Sequence, residues 1–214
     1  MARLRLTITM SLDGYVAGPR QSAEEPLGVG GEALHEWVFA VKTFREMHGM
    51  EGGTTGPDDQ VARESLENVG ATMMGRNMFG PVSGPWGDDP WRGWWGDEPP
   101  FRMPVVVLTH HPREPLEMRG GTTFHFAADG IEAALELAKE LAGGRDVALG
   151  GGADVARQYL GAGLIDQMDL HVVPVLLGGG ARLFADGGGQ TALALDRVVA
   201  SSEVVHYRYR RPVG

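Results

Sequence analysis

The chain begins with an alternation of apolar and polar residues. Over residues 3–10, leucine, isoleucine and methionine take every second position, and arginine and threonine take the positions between them. This period of two predicts a strand with one buried face. The stretch "SLDG" follows, and its Asp13-Gly14 pair is typical of a turn. The pattern therefore predicts a strand that ends at a tight turn.

Further along the chain, short apolar runs alternate with apolar residues at helical spacing. The predicted helices cover residues 32–47, 59–69, 130–141 and 152–163. The predicted strands lie within 71–80, 104–109, 122–126, 147–150, 168–177, 192–201 and 203–211. Pro174 stands inside one of these runs, which predicts an edge strand or a bulge. Residues 81–100 are dense in proline, glycine and tryptophan, so we expect no regular structure there.

The order of these elements predicts the fold class. Strands that alternate with helices favour an α/β domain with a mostly parallel central sheet. The last two strands, joined at Ser201-Ser202, predict a C-terminal antiparallel hairpin in that sheet. The sequence shows no internal repeat and no obvious linker, so we expect a single domain over residues 1–214.

Composition and charge narrow the classes of function. Of the 214 residues, 43% are hydrophobic and 22% are charged, which is ordinary for a globular protein. The formal net charge of −9 argues against a broad surface for nucleic acid or membranes. Without cysteine, the chain has no disulfide, thiol catalysis or cysteine-bound metal. The N-terminus lacks the apolar core of a signal peptide, so we expect a cytoplasmic protein.

Three consecutive glycines, Gly150, Gly151 and Gly152, stand between a predicted strand and a predicted helix. The first turn of a helix presents free backbone N–H groups, and glycines let a phosphate approach them closely. One glycine usually suffices for a turn, so three favour phosphate binding, with a generic strand-to-helix turn as the alternative. The spacing of the Rossmann fingerprint does not occur here.

Two further stretches place polar side chains at the ends of predicted strands. Arg76 follows a buried strand, where it could bind an anion or simply lie at the surface. The apolar run "VVVLT" ends at Thr109, and His110 and His111 follow it. Ligands of open α/β sheets bind at such strand ends, so these residues could hydrogen-bond a phosphate or ribose, or be plainly exposed. Adjacent histidines of an extended chain point to opposite sides, which disfavours a metal site.

The tryptophan-rich segment has two interpretations. Trp86, Trp91, Trp94 and Trp95 lie among acidic residues. They could stack on a ring-shaped substrate. The interpretation that we favour is a self-packed lid or a subunit interface.

Five stretches in a fixed order carry a family resemblance. They are "TITMSLDGYVAG", "MMGRNMFG", "VVVLTHHP", "VALGGGADVARQYL" and "DLHVVPVLLGGGARLF", between residues 7 and 184. Together they resemble the dihydrofolate-reductase-like superfamily, and most of all the C-terminal reductase domain of the bifunctional riboflavin-biosynthesis deaminase-reductase. The resemblance implies a three-layer fold with helices on both faces of the sheet, and a reductase that uses NADPH. Residues 44–66 and 81–100 depart from the pattern of these relatives and are expected to reshape the substrate opening.

The resemblance also implies which residues bind the cofactor. The residues expected along NADPH are Met10, Ala17, Gly18, Gly75, Arg76, Asn77, Met78, Leu108, Thr109, His110, Gly150, Gly151, Gly152, Ala153 and Asp154. Met10 (through its backbone), Ala17 and Gly18 would border the nicotinamide, and the glycine turn would hold the diphosphate. Thr109 and His110 would face the 2′-phosphate end. No metal is expected.

The predicted chemistry is hydride transfer to a small heterocyclic, carbonyl or imine substrate. Asp13 is the first candidate for orienting the substrate or relaying a proton, because the riboflavin-type members use an aspartate at this turn. Glu36 is the second candidate, and bound water is the third. His171 could reach the same pocket or be a core residue. The alternative function is a module that binds NADP without turnover, such as a sensor.

A homodimer is expected from the resemblance, because riboflavin-type relatives pair through their sheets. The apolar and aromatic residues of the last strand favour the same conclusion, namely Val204, Val205, Tyr207 and Tyr209. Two-fold dimers are also the commonest assembly of soluble proteins.

Overall fold

The structure, a computed structural model, describes residues 2–80, 84–88, 90–184 and 191–212. The strands are β1 (Leu4–Ser11), β2 (Tyr15–Ala17), β3 (Val69–Gly75), β4 (Pro104–Leu108), β5 (Leu116–Glu117), β6 (Thr123–Ala127), β7 (Asp146–Leu149), β8 (Gln167–Val173), β9 (Ala181–Arg182), β10 (Ala194–Ala200) and β11 (Val205–Arg210). The helices are α1 (Glu36–Ala40), α2 (Lys42–Met47), α3 (Pro57–Leu66), α4 (Arg76–Phe79), α5 (Ile131–Leu141) and α6 (Ala153–Gly161), with 3-10 helices at Gly31–Leu34 and Arg119–Gly121. None of the described helices is long and apolar enough to cross a bilayer.

Nine strands form one sheet in the order β10-β11-β8-β1-β7-β3-β4-β6-β5. The six strands from β8 to β6 in this order are parallel to one another. At one end β11 is antiparallel to both β8 and β10, and at the other β5 is antiparallel to β6. The predicted fold, a mostly parallel sheet with a C-terminal antiparallel hairpin, is confirmed.

β1 lies inside the sheet, and both of its faces are buried. Leu4 and Leu6 are fully buried in a core that includes residues of α5 and α6. Arg5, on the opposite face, is only 4% exposed and donates hydrogen bonds to the carbonyl oxygens of Glu64 and Glu67 near the end of α3. The expectation of one buried face is therefore wrong, because helices cover the sheet on both sides.

The first predicted helix is divided between a 3-10 turn, α1 and α2. Val41 between α1 and α2 has an extended backbone and forms an isolated bridge with Thr54. α3 begins at Pro57, a residue favoured at the first position of a helix. Its Asp59 accepts the backbone N–H of Thr43 at 2.7 Å. This contact joins α2 to α3 on the same face of the sheet as Arg5.

The described part of the tryptophan-rich segment, residues 84–88 and 90–100, contains no helix or strand, as expected. Trp86 packs edge-on against Phe79, and Trp95 stacks on Phe124. Trp91 donates its indole N–H to the carbonyl oxygen of Phe79 at 2.9 Å. The segment thus covers the β3, β4 and β6 part of the sheet, and these contacts favour the interpretation of a self-packed lid.

The C-terminal strands depart from the sequence pattern in two places. β8 ends at Val173, so Pro174 follows the strand instead of interrupting it, because proline lacks the N–H that a ladder needs. Val204 is 1% exposed and belongs to a core cluster, so it is not available to a partner. The large apolar side chains exposed on β10 are those of Leu195 and Val198.

Candidate active site

A cleft of about 1110 Å³ runs along the carboxyl ends of the parallel strands. Its outer half lies at the β7–α6 turn and the ends of β3 and β4, and its inner half lies between β1, β8 and the helices α1 to α3. Most predicted cofactor residues line it, namely Ala17, Gly75, Arg76, Asn77, Met78, Leu108, Thr109, His110, Gly150, Gly151, Gly152, Ala153 and Asp154. His171 lines the inner half.

The glycine turn ties the ends of two parallel strands together. Gly150 donates its N–H to the carbonyl oxygen of Met73 at 3.0 Å, and Gly75 donates to the carbonyl oxygen of Gly151 at 2.8 Å. Gly151 has a φ of +123°, which favours glycine. Gly152 has a φ of −77°, and a Cβ there would meet no atom within 4 Å. The backbone therefore requires glycine at Gly151, whereas the missing side chain of Gly152 keeps open space before α6.

The first turn of α6 is available to a ligand. No side chain caps it, so backbone N–H groups and the positive end of the helix dipole lie at the cleft. Asp154 in this turn is exposed and forms an ion pair with Arg157, which also lines the cleft. The ion pair offsets the negative charge of Asp154 near the helix end.

Arg76, the first residue of α4, lies against an indole ring. Its guanidinium carbon is 3.3 Å from the ring centroid of Trp86. Its Nε, Nη1 and Nη2 atoms are buried and have no hydrogen-bond partner among the described residues. Burial, together with the neighbouring charge of Arg113, lowers the pKa of Arg76 to about 10, so it remains a cation at neutral pH. Buried donors are normally paired, and an anionic ligand would supply the partner.

Arg113 lies beside the same indole ring. Its guanidinium carbon is 4.0 Å from the ring centroid of Trp86 and 4.2 Å from that of Phe126. Its Nη2 is also buried without a hydrogen-bond partner in the described chain. Trp86 is fixed by its indole N–H, which donates to the carbonyl oxygen of His111 at 2.6 Å. Arg113, which is not among the described residues that line the cleft, thus adds a second positive charge beside the ring that Arg76 contacts.

The end of β4 is shaped by a side chain that bonds to the backbone. The Thr109 hydroxyl accepts the backbone N–H of His111 at 3.1 Å and is buried. His110 is exposed and lines the cleft. Thr109 therefore holds the turn in place, while His110 has a side chain that can reach a ligand.

The inner half of the cleft is aromatic and neutral. Trp37 of α1 donates its indole N–H to the hydroxyl of Thr9 at 3.3 Å. The ring centroid of Trp37 lies 4.9 Å from that of His171, in an edge-to-face arrangement. His171 is 3% exposed, and burial, with smaller contributions from His206 and Arg208, lowers its pKa to about 3. The imidazole is therefore neutral at neutral pH.

A chain of hydrogen bonds leads away from His171. Its Nδ1 lies 2.8 Å from Nδ1 of His206 on β11. Nε2 of His206 lies 3.0 Å from Oδ1 of Asp58, in the first turn of α3. The His206 side chain is 4% exposed and that of Asp58 is 20% exposed. The chain thus connects the wall of the cleft to a carboxylate near the surface.

The family model of the RibD C-terminal domain matches residues 2–207 of this chain. The chain belongs to this family. Membership supports a reductase activity, in agreement with the resemblance of the five sequence stretches. No curated protein gives a significant match.

Among the solved structures that resemble this RibD C-terminal domain are proteins from bacteria and yeast. A protein of Shewanella sp. PV-4, assigned provisionally to riboflavin biosynthesis, is 21% identical, with a TM-score of 0.61 and full coverage of both chains. The diaminohydroxyphosphoribosylaminopyrimidine deaminase/5-amino-6-(5-phosphoribosylamino)uracil reductase of Thermotoga maritima is 13% identical (TM-score 0.56), and the match covers 99% of this chain and 57% of that one. The riboflavin biosynthesis reductase of Saccharomyces cerevisiae is 14% identical (TM-score 0.52), with coverage of 99% and 89%. At these identities the likeness shows the fold.

In this RibD C-terminal domain, Asp13 belongs to a turn. Its carboxylate accepts hydrogen bonds from the Ser11 hydroxyl at 2.6 Å and from the backbone N–H groups of Leu177 and Gly178 at 3.1 and 2.7 Å. The Ser11 bond, helped by these N–H groups, lowers the pKa of Asp13 to about 2. Asp13 is not among the described residues that line the cleft. Its oxygen atoms anchor the turn, and the expectation that Asp13 meets the substrate stays a prediction.

Three other predicted residues also lie outside the described lining of the cleft. Glu36 is exposed on α1, because the neighbouring Trp37 takes the inward position. The side chain of Met10 belongs to the core under the sheet. Gly18 packs so closely on the backbone that a Cβ would lie 2.2 Å from the carbonyl oxygen of Val29. Glycine is therefore needed at Gly18 because the backbone at Val29 packs closely against it.

The structure adds site residues that the sequence pattern did not single out. Arg113 follows the predicted strand end at Thr109 by four positions, so its position could have suggested it. Asp58 and His206 had no local signal, because they are 148 positions apart in the sequence.

Proposed function

We propose that this protein is an NADPH-dependent reductase that transfers hydride to a small heterocyclic, carbonyl or imine substrate. The observation that carries the proposal is the continuity of the cleft, in which buried arginine nitrogens without described partners are joined to an aromatic pocket that holds a neutral imidazole. Family membership supports the reductase class.

The residues of the outer half fit a nicotinamide dinucleotide. The open space at Gly152 admits a diphosphate to the uncapped first turn of α6. Arg76 would bind a further phosphate group, supported by the nearby charge of Arg113, and this favours NADPH over NADH because only NADPH carries a 2′-phosphate. Asn77, Met78 and His110 would line the same path. When bound, the reduced nicotinamide supplies the hydride.

The inner half fits a flat, neutral substrate. Trp37, Phe39 and Phe44 contribute aromatic surface, and Thr9 and His171 contribute polar atoms. The carboxylate in the described lining of the whole cleft is that of Asp154, which lies at α6 and pairs with Arg157. Recognition in the inner half would therefore use hydroxyl and imidazole groups. Such groups suit amide, carbonyl or imine atoms better than a cationic ring.

Titration and turnover together test this function. We expect NADPH to bind more tightly than NADH in fluorescence titrations, and NADPH to be oxidised by a member of a panel of pyrimidines, pterins, quinones and imines. Equal or tighter binding of NADH would contradict the cofactor assignment. Tight NADPH binding without oxidation by any panel member would favour a sensor that binds NADP without turnover.

We also propose a homodimer formed through the edge of the sheet. β10 is the outermost strand, and its Leu195 and Val198 side chains are 58% and 49% exposed. On the neighbouring β11, Tyr207 and Tyr209 stack with each other and are half-buried. Light scattering tests this proposal, and a mass near 22.9 kDa at micromolar concentration would contradict it.

A further inference from the structure

Three strands place their polar side chains in one row beneath Trp37. Thr9 pairs with His171 across β1 and β8, and His171 pairs with His206 across β8 and β11. Directly paired residues project from the same face of a sheet. The Trp37 ring centroid lies 4.9 Å from each imidazole centroid. The two imidazoles are therefore held between the sheet and α1, and His171 is the one that lines the cleft.

The proton positions in this row are coupled. A neutral imidazole has one donor and one acceptor nitrogen, so one Nδ1 must carry the proton that bridges His171 and His206. If His206 donates from Nε2 to Asp58, it accepts at Nδ1, and Nε2 of His171 is then an acceptor. If the Asp58–His206 pair takes up one more proton, Nδ1 of His206 becomes the donor, and we call the pair in this state loaded. His171 must then carry its own proton on Nε2, the nitrogen without a hydrogen-bond partner among the described residues.

We propose that Asp58, His206 and His171 form a proton relay that protonates the substrate when it is reduced. The inference rests on the proposed function, because reduction of a C=N or C=O bond needs one hydride and one proton. Hydride addition to carbon moves the π electron pair onto nitrogen or oxygen. That atom takes the proton from Nε2 of His171, while the Nδ1 proton of His206 moves to Nδ1 of His171.

The relay balances in protons and moves no electrons between residues. The loaded pair loses one positive charge and the substrate atom loses one negative charge. The Nε2 proton of His206 stays on the ring beside Asp58, so the next proton enters by the reverse path. Water that replaces the product protonates Nε2 of His171, and the Nδ1 proton of His171 returns to Nδ1 of His206, while the Asp58 carboxylate stabilises the His206 imidazolium that forms. His171 is the catalytic residue, whereas His206 and Asp58 act through it.

The charges around the row set the direction of its pH dependence. The charged groups near the two imidazoles are Asp58 on α3, Asp169 on β8, Arg197 on β10 and Arg208 on β11. Burial lowers the pKa of His206, and this effect outweighs the opposite influence of Asp58 and Asp169. A loaded His206 is therefore a stronger acid than a free imidazolium and gives up its proton readily. The loaded form is favoured at low pH, so turnover should fall as the pH rises.

Nitrogen-15 spectra of histidine-labelled wild-type protein test the relay without any substrate. They report which nitrogen of each ring carries the proton. We expect His171 to be protonated at Nδ1 at high pH and at Nε2 once the Asp58–His206 pair is loaded at low pH. In His206→Gln this change should disappear. A His171 tautomer that stays the same across the pH range in wild-type protein would overturn the relay.

Turnover gives a second readout. With a substrate that wild-type protein reduces, His206→Gln and Asp58→Asn should lower kcat by about 10²-fold, flatten its fall with pH and leave NADPH affinity unchanged. His125→Gln is the matched control, because His125 is a half-buried histidine of β6 outside the described lining of the cleft. Wild-type kcat and pH profile in both relay variants would overturn the proposal. A wild-type protein that reduces no substrate counts against the proposed function, and the tautomer spectra then decide the relay separately.

Discussion

The two halves of the cleft differ in whether their polar side chains have hydrogen-bond partners. In the outer half, Arg76 keeps buried nitrogen atoms without a partner in the described chain, and so does Arg113, which lies beside the same indole ring but outside the described lining. In the inner half, Thr9, His171 and His206 each form a hydrogen bond with a described neighbour. Both halves belong to one cleft and lie on the same sheet.

The difference shows which half needs a ligand to be complete. A buried donor without a partner costs about 1–3 kcal/mol, and such a cost is expected where a ligand supplies the missing acceptor. Groups that are already hydrogen-bonded to each other hold their geometry before any ligand binds. This difference supports anion binding in the outer half and proton transfer in the inner half, as proposed.

The largest effect is expected when the open space of the outer half is filled. In Gly152→Val the backbone φ of −77° accepts a side chain and the Cβ meets no atom within 4 Å, so the variant should fold. The added side chain would occupy the space before α6. NADPH affinity should fall by at least roughly 100-fold, because about two charge-assisted hydrogen bonds, each worth about 1.5–3 kcal/mol, would be lost. Fluorescence titration measures the fall.

Gly151→Val is the matched control for this change. Its φ of +123° is rarely adopted by residues with a side chain, so this variant should lose thermal stability as well as affinity. If Gly152→Val binds NADPH as tightly as wild-type protein, the glycine turn serves only the backbone.

Removing the charge of Arg76 should have a smaller effect on NADPH affinity and should also change the thermal stability. Arg76→Met should bind NADPH roughly 10- to 100-fold more weakly, because charged hydrogen bonds are worth about 1.5–3 kcal/mol each. The same variant should unfold at a higher temperature without ligand, because it no longer buries a charge that lacks a partner. Titration and thermal unfolding measure the two effects.

Arg119→Met is the control for Arg76→Met, because Arg119 is exposed and pairs with Asp97 at the surface. It should leave NADPH affinity unchanged. An Arg76→Met protein that binds NADPH normally and is no more stable than wild type would show that the two halves of the cleft do not differ as described.

The smallest effect on turnover is expected at Asp13. Its pKa is lowered from 3.8 to about 2, so its carboxylate stabilises the fold above pH 3.8, and this contribution is lost as the pH falls toward 2. Asp13→Asn should therefore lower the thermal midpoint at neutral pH, and the difference from wild type should shrink below pH 3.8. Turnover and NADPH affinity should stay at wild-type levels. Loss of most turnover in Asp13→Asn would show instead that Asp13 acts on the substrate.

Much of the fold could be predicted from local patterns. The apolar runs predict the strands because each depends on residues close in sequence, and the order of strands and helices indicates the parallel sheet. The division of the first helix at Val41 was not predictable in this way, because it depends on a bridge to Thr54. The burial of Arg5 similarly depends on carbonyl oxygens of α3, about 60 residues away.

In the candidate site, too, some residues could be predicted from local sequence and others depend on distant contacts. The glycine turn, Arg76 and the Thr109 strand end could be predicted, because the carboxyl ends of parallel strands meet at one edge of a sheet. Asp13 and Glu36 were predicted from their positions, but the hydrogen bonds of Asp13 to Leu177 and Gly178, and the inward turn of Trp37, exclude both from the described lining.

The sequence by itself determined the α/β class, the family and the strand ends where an anion could bind, because these depend on short motifs and on their order. The tertiary structure decided which polar groups are paired. Arg76 meets Trp86 instead of a carboxylate, and His206 meets both His171 and Asp58. The physical reason is that the strand order places β11 beside β8, and that α3 contacts β11, so partners far apart in the chain come within hydrogen-bond distance.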